Sequence, residues 1–200
     1  MIGVYFRDKS NSLFERDFPK IEDYQFYGLV KAKRDYTNEM KQLSEEFKKF
    51  TYEFTNHYSN YNKNKSWSAL SLRGYTSDPA FITKPSEMNK KWQEENKDVE
   101  FELQDTPLRA KFPIVETILN DLPKENIHRI RFMKLKPGGG ELERHTDQVD
   151  ADSGIGDGQL MRLHYPVVTN DKVEVTCWTP SDTQVVNMKL GEMWFLDTRK

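Results

Sequence analysis

Positions 145 and 147 carry the clearest chemistry in this 200-residue chain. The segment PGGGELERHTD (137–147) opens on Pro137 and three glycines. That is a tight turn, where glycine's freedom to take positive φ is used. The pattern predicts a short strand over 141–146 leading into His145-Thr146-Asp147. Residues two apart on a strand point to the same side, so the imidazole of His145 and the carboxylate of Asp147 can meet one metal ion. One His and one carboxylate are two of the three ligands of the facial triad that non-haem Fe(II) oxygenases use. Taken alone, His-x-Asp also fits an ordinary surface.

A second pair supports the first. In MRLHYPVVTN (161–170), an extended strand puts Arg162 and His164 on one face and Met161, Leu163, Tyr165 and Val167 on the other. The apolar face belongs in a core. A guanidinium beside an imidazole suits a bound carboxylate, although a half-exposed strand would also wear such a face. Further back, WSALSLRGY (67–75) places Trp67, Arg73 and Tyr75 on one strand face, a candidate substrate mouth. Arg73 suits a substrate carboxylate or an acidic surface neighbour equally well. Trp178 and Trp194 read as core residues, and Cys177, in an apolar strand, as inert.

Two kinds of element must hold these groups. In 36–54 the apolar positions Tyr36, Met40, Leu43, Phe47, Phe50 and Phe54 are spaced 4, 3, 4, 3 and 4, one stripe of a helix packed on a core, with Asp35 as N-cap. The polar segment 56–66 reads as a loop. A helical turn is expected near 86–94 and a short helix over 114–122, ended by Pro123. From position 127 the pattern changes to short strands: 127–135, 141–146, 160–168, 172–178, 183–189 and 192–197. Their separation by Gly, Pro, Asn and Asp favours an antiparallel sandwich or barrel over βαβ units. Residues 1–27 show no assignable pattern.

The bulk composition narrows the partners. Charged residues make up 31% and aromatics 12%, enough aromatic area for a core. A net charge of -2 gives no field favouring nucleic acid or an anionic membrane, and neither is expected as a partner. One cysteine forbids an internal disulfide. With no leader-like apolar segment at the N-terminus and no apolar run of about 18 residues, the expectation is a soluble, cytoplasmic protein.

In order along the chain, HRIRFMKLKPGG, HTD, RLHYPVVTN and GEMWFLD resemble the aspartyl/asparaginyl β-hydroxylase-like family of Fe(II)/2-oxoglutarate oxygenases, and within it the bacterial proline hydroxylases. The resemblance covers about 106–200. It implies an α+β protein built on a double-stranded β-helix (a cupin-like jelly roll), with 106–200 as the core carrying the metal site and 1–105 bracing it. It implies His145 and Asp147 as iron ligands, Arg162 and His164 as holders of a 2-oxoglutarate carboxylate, and hydroxylation by O2 of an amino acid or a protein side chain.

The family places a second iron-binding His just after the GEMWFLD strand, with an Arg further on. This chain's four histidines are His57, His128, His145 and His164. The expectation is therefore a shortened version of a longer protein, with the last strand missing. The alternatives are a non-catalytic jelly-roll binding module, a cupin-type enzyme of other chemistry, and a nucleic-acid demethylase, the last disfavoured by charge. The insert 148–159 fits a substrate lid or a solvated loop. Its Asp150, Asp152 and Gly154 lack the closing Glu of a calcium loop.

Overall fold

A computed structural model describes residues 1–7, 29–49, 51–122, 124–145, 160–178 and 181–196. Its strands are β1 (Ile2–Arg7), β2 (Leu29–Lys31), β3 (Thr55–Asn56), β4 (Trp67–Gly74), β5 (Gln104–Asp105), β6 (Ile127–Leu135), β7 (Leu160–Tyr165), β8 (Val175–Trp178), β9 (Thr183–Val186) and β10 (Trp194–Leu196). Its α-helices are α1 (Thr37–Lys48), α2 (Lys90–Glu95) and α3 (Pro113–Leu119). Eight strands form one sheet in the order β2-β10-β7-β1-β6-β4-β3, with β5 also on β4, while β8 and β9 pair apart as a hairpin. All of the pairings are antiparallel, so the protein is α+β, as expected.

The sheet's two faces do different work. One carries Ile2, Val4, Leu70, Ile130, Phe132, Leu163 and Phe195, and α1 and α3 cover it through Met40, Leu43, Val115 and Ile118. Phe47 of α1 and Phe112 seat on Phe132 with ring centroids 4.5 and 4.9 Å away. Of the stripe predicted over 36–54, Tyr36, Met40, Leu43, Phe47 and Phe54 pack into the core, but not as one helix; Phe50 lies outside the described residues. The helix stops at Lys48, and Tyr52 and Phe54 reach the same core from the chain beyond it. The N-cap is Tyr36 rather than Asp35; Asp35, one residue further out, still ties down the helix start, its Oδ1 accepting from the Thr37 N–H at 2.9 Å and the Thr37 hydroxyl at 2.6 Å.

At the α1 end a close approach fixes a glycine. Gly191 has φ +87°, and a Cβ there would lie 2.6 Å from Thr37 Cα. Its carbonyl accepts from Tyr36 N–H at 2.8 Å, which ties the approach to β10 to the start of the helix.

On the other face, the β8–β9 hairpin packs at the β10 end. Leu29, Cys177, Met188 and Leu196 form a small core there, flanked by Val175, Val186 and Trp194. Leu29 N–H donates to Gln184 Oε1 at 2.8 Å. Cys177 is buried as expected, but Trp178 is 39% exposed rather than core. At the opposite end, the 79–87 segment leans on the same face: Ser71 Oγ donates to Phe81 O, and Arg131 donates to Ile82 O, both at 2.8 Å.

Two local readings change. Residues 1–27 had no assigned pattern, yet β1 sits mid-sheet between β7 and β6. The strand predicted over 141–146 does not form across its described part, 141–145. The turn is there: Gly138 and Gly139 have φ +80° and +103°, and Gly140 N–H closes onto Lys136 O at 3.0 Å. Beyond it, the Glu143 N–H is spent on Tyr61 O (3.0 Å) instead of a ladder. Among the described residues no helix is long and apolar enough to cross a membrane.

Candidate functional site

The chemistry gathers on the face that α1 and α3 leave open. Residues paired across a sheet share a face. Arg162 stands opposite Tyr5 and Leu196, and His164 opposite Gly3 and Trp194. Arg131 of β6 pairs with Gly3 and Ser71, so it belongs to this face too, and Arg129, two residues back, accompanies it.

The result is a cluster of guanidiniums around one ring. Arg129, Arg131 and Arg162 place Cζ 4.6, 4.9 and 4.8 Å from the Tyr5 ring centroid. Arg131 also donates to the Tyr5 hydroxyl and lies 5.3 Å from the Trp67 ring. Burial pushes the Arg131 guanidinium below its ordinary value; Tyr5 opposes the shift, and the charges of Arg129 and Arg162 add to it. His164 is buried as well. Glu87 is the acid nearby. Burial alone would raise its carboxyl, but the Thr83 hydroxyl (2.6 Å) and Lys84 (3.0 Å) hold it below the usual range.

A run of rings links this cluster to His145. Trp67 packs edge-on against His57 at 4.6 Å, His57 lies 6.1 Å from Tyr61, and Tyr61 stacks on His145 at 4.0 Å with 2° between the planes. Burial and the charges of Arg131, Arg129 and Arg162 lower the His57 pKa to about 4, with Glu87 opposing. Its Nδ1 accepts from Ser59 N–H at 3.2 Å, so the proton of the neutral ring is on Nε2.

His145 has the other tautomer. Its Nδ1 lies 2.8 Å from Glu143 O. A carbonyl only accepts, so Nδ1 carries the proton, which in the neutral ring leaves the lone pair on Nε2. A backbone carbonyl fixing one ring nitrogen while the other faces the metal is the usual arrangement of a metal-binding His, and imidazole nitrogen suits Fe(II). The arrangement fits an iron ligand. Asp147, the predicted second ligand, and the insert 148–159 lie outside the described residues. Among the described residues, no three His, Cys, Asp or Glu side chains gather as a metal site.

The candidate mouth residues divide. The β4–β6 register shifts between Ser71 and Arg73, so Arg73 pairs with Ile130, a residue of the helix-covered face. Trp67 stays with Arg131, while Arg73 binds Asp105 at 3.0 Å, in a network that continues through Arg109 to Glu116. Tyr75 is buried 6.0 Å from His128.

Sequence reasoning passed over Tyr5, Tyr61, Arg129 and Arg131. The last two were legible by the rule that selected Arg162 and His164, being polar residues two apart in an apolar strand. An open cleft of about 380 Å³, lined by Asn56, Lys65, Ser68, Lys134 and Lys136 among others, lies elsewhere. Ser68 and Lys134 pair with each other and alternate with Arg131, which puts them on the opposite face.

The aspartyl/asparaginyl beta-hydroxylase family profile matches residues 32–200. No curated protein matches the chain, and no solved structure does either.

Proposed function

Because the chain belongs to the aspartyl/asparaginyl β-hydroxylase family, we propose that it is an Fe(II)- and 2-oxoglutarate-dependent dioxygenase, hydroxylating an unactivated C–H bond of an amino acid or a peptidyl side chain. The supporting observation is the unbroken run of contacts from His145 through Tyr61, His57, Trp67, Arg131 and Tyr5 to Arg162. This supports reading the His145 imidazole and the Arg162 guanidinium as parts of one site.

His145 and Asp147 would hold Fe(II), and Arg162 with His164 would hold a carboxylate of 2-oxoglutarate. Fe(II) together with 2-oxoglutarate supplies the O2 chemistry that places a hydroxyl group on carbon. Arg162 presents a planar fork that matches a carboxylate in two hydrogen bonds, and the Tyr5 ring limits where that fork can swing. Arg131, pinned by Ile82 O and the Tyr5 hydroxyl, holds Tyr5 in turn. Such positioning restricts unproductive poses. Trp67 forms an apolar wall on the same face, suited to a substrate's aliphatic part; Arg73 has no part in this proposal.

The sheet and the β8–β9 hairpin on its arginine-bearing side are read as the two layers of a double-stranded β-helix. Residues 106–200 would carry the iron and 2-oxoglutarate ligands, and 1–105 would brace them and add Tyr5, Tyr61 and Trp67. The test is succinate release from 2-oxoglutarate with Fe(II) and ascorbate under air. Release is expected from the protein carrying its third iron ligand, and should fall to background in its His145→Ala variant. A folded wild type that binds iron and 2-oxoglutarate without releasing succinate would instead be a binding module.

A further inference from the structure

Residues 57–66 form a polar loop in sequence, yet their contacts end on His145. Asn62 is buried and anchors the loop: Nδ2 donates to His57 O at 2.6 Å and Trp67 O at 2.8 Å, and Oδ1 accepts from Trp67 N–H at 2.7 Å. The next residue back, Tyr61, meets the 141–145 segment twice. Its carbonyl accepts from Glu143 N–H at 3.0 Å, and its ring lies flat on the His145 imidazole. Glu143 O in turn accepts from His145 Nδ1.

Two restraints on the imidazole therefore trace to Tyr61. The stack limits rotation of the ring plane. The Nδ1 hydrogen bond sets the tautomer and the direction of Nε2, and the carbonyl that accepts it is held in place by the Tyr61 backbone. A ligand on a strand would be aimed by the ladder on both sides. His145 follows 141–144 with no strand, so the loop supplies what a ladder would.

We propose that Tyr61 is a positioning residue for His145, aiming Nε2 at the metal. This rests on the reading of His145 as a metal ligand. The flat ring is what matters, not the hydroxyl.

Titration with Co(II) alone, followed by the visible absorption of the bound ion, tests it on wild type, Tyr61→Phe and Tyr61→Leu, each checked for folding by circular dichroism. Loss of an outer partner of a metal ligand typically weakens affinity by about 10–100-fold. That loss is expected in Tyr61→Leu, with the wild-type spectrum and affinity restored in Tyr61→Phe. Wild-type affinity in the Leu variant overturns the inference, as does equal weakening in Phe and Leu. A wild type that takes up no Co(II) overturns the ligand reading itself, and the inference with it. Should the Leu variant not fold, the NMR shifts of the carbon-bound His145 ring protons in the wild type decide: an upfield ring-current displacement is expected, and unshifted protons overturn the stack.

Discussion

Arg162 and His57 show how one cluster of groups sets two different charges. Arg162 is held against Tyr5 but keeps some exposure, the state expected of a guanidinium that exchanges ligands. Removing a hydrogen bond to a charged group costs about 1.5–3 kcal/mol, roughly 10- to 150-fold in affinity. Arg162→Ala should weaken 2-oxoglutarate binding by that factor in calorimetry and leave thermal stability nearly unchanged. His57 is pressed the other way. Its folded pKa of about 4 lies below the ordinary 6.5, so the unfolded chain binds its proton first. The stability that the neutral ring contributes is complete above pH 6.5 and is lost as pH falls through 4. Thermal melts between pH 7 and 4 should show that loss, and His57→Gln should flatten the profile over that window. A slope unchanged in the variant would remove His57 as its source.

Among the elements, β6 was legible from end to end, since its apolar residues alternate with Arg129 and Arg131 and Pro137 follows shortly after. β1 was not. Its residues Ile2, Val4 and Tyr5 are buried on both faces, and burial on both faces erases the period-two alternation by which strands are recognised. The 141–146 strand was expected because a short segment follows the tight Pro-Gly turn and ends in the His-x-Asp pair. Nothing local in the sequence says that a loop 80 residues earlier takes the Glu143 N–H. The stripe of α1 overran the helix, because Phe54 keeps its spacing and reaches the same core after the helix has ended. Nothing local in the GEMWFLD segment marks Gly191 as the point where the approach to β10 meets the first residues of α1. Gly191→Ala should cost about 2 kcal/mol or more, from the positive φ and the contact with Thr37 together. Denaturant unfolding would measure it, and a variant as stable as wild type would mean that the close approach is absent.

Across the whole molecule, the division of labour follows from what each face touches. Helices α1 and α3 supply an apolar base on one side; on the opposite side, guanidiniums, imidazoles and aromatic rings lie between two smaller apolar clusters, one under the β8–β9 hairpin and one around Ile82. The order of the sheet puts β7 beside β1 and β6, so side chains from three distant segments meet at Tyr5. The candidate site was thus half visible in sequence. Arg162 and His164 announce themselves within one strand, whereas Tyr5 and Tyr61 acquire a role only through long-range pairing. If His145 binds a metal and Arg162 a carboxylate on that same side, 2-oxoglutarate bridges them and each should need the other. The direct measurement is calorimetric titration of 2-oxoglutarate with and without Mn(II) standing in for Fe(II). The expected result is binding that requires the metal, disappears in His145→Ala and weakens in Arg162→Ala. Binding of equal strength without metal, or none in its presence, would contradict a shared site.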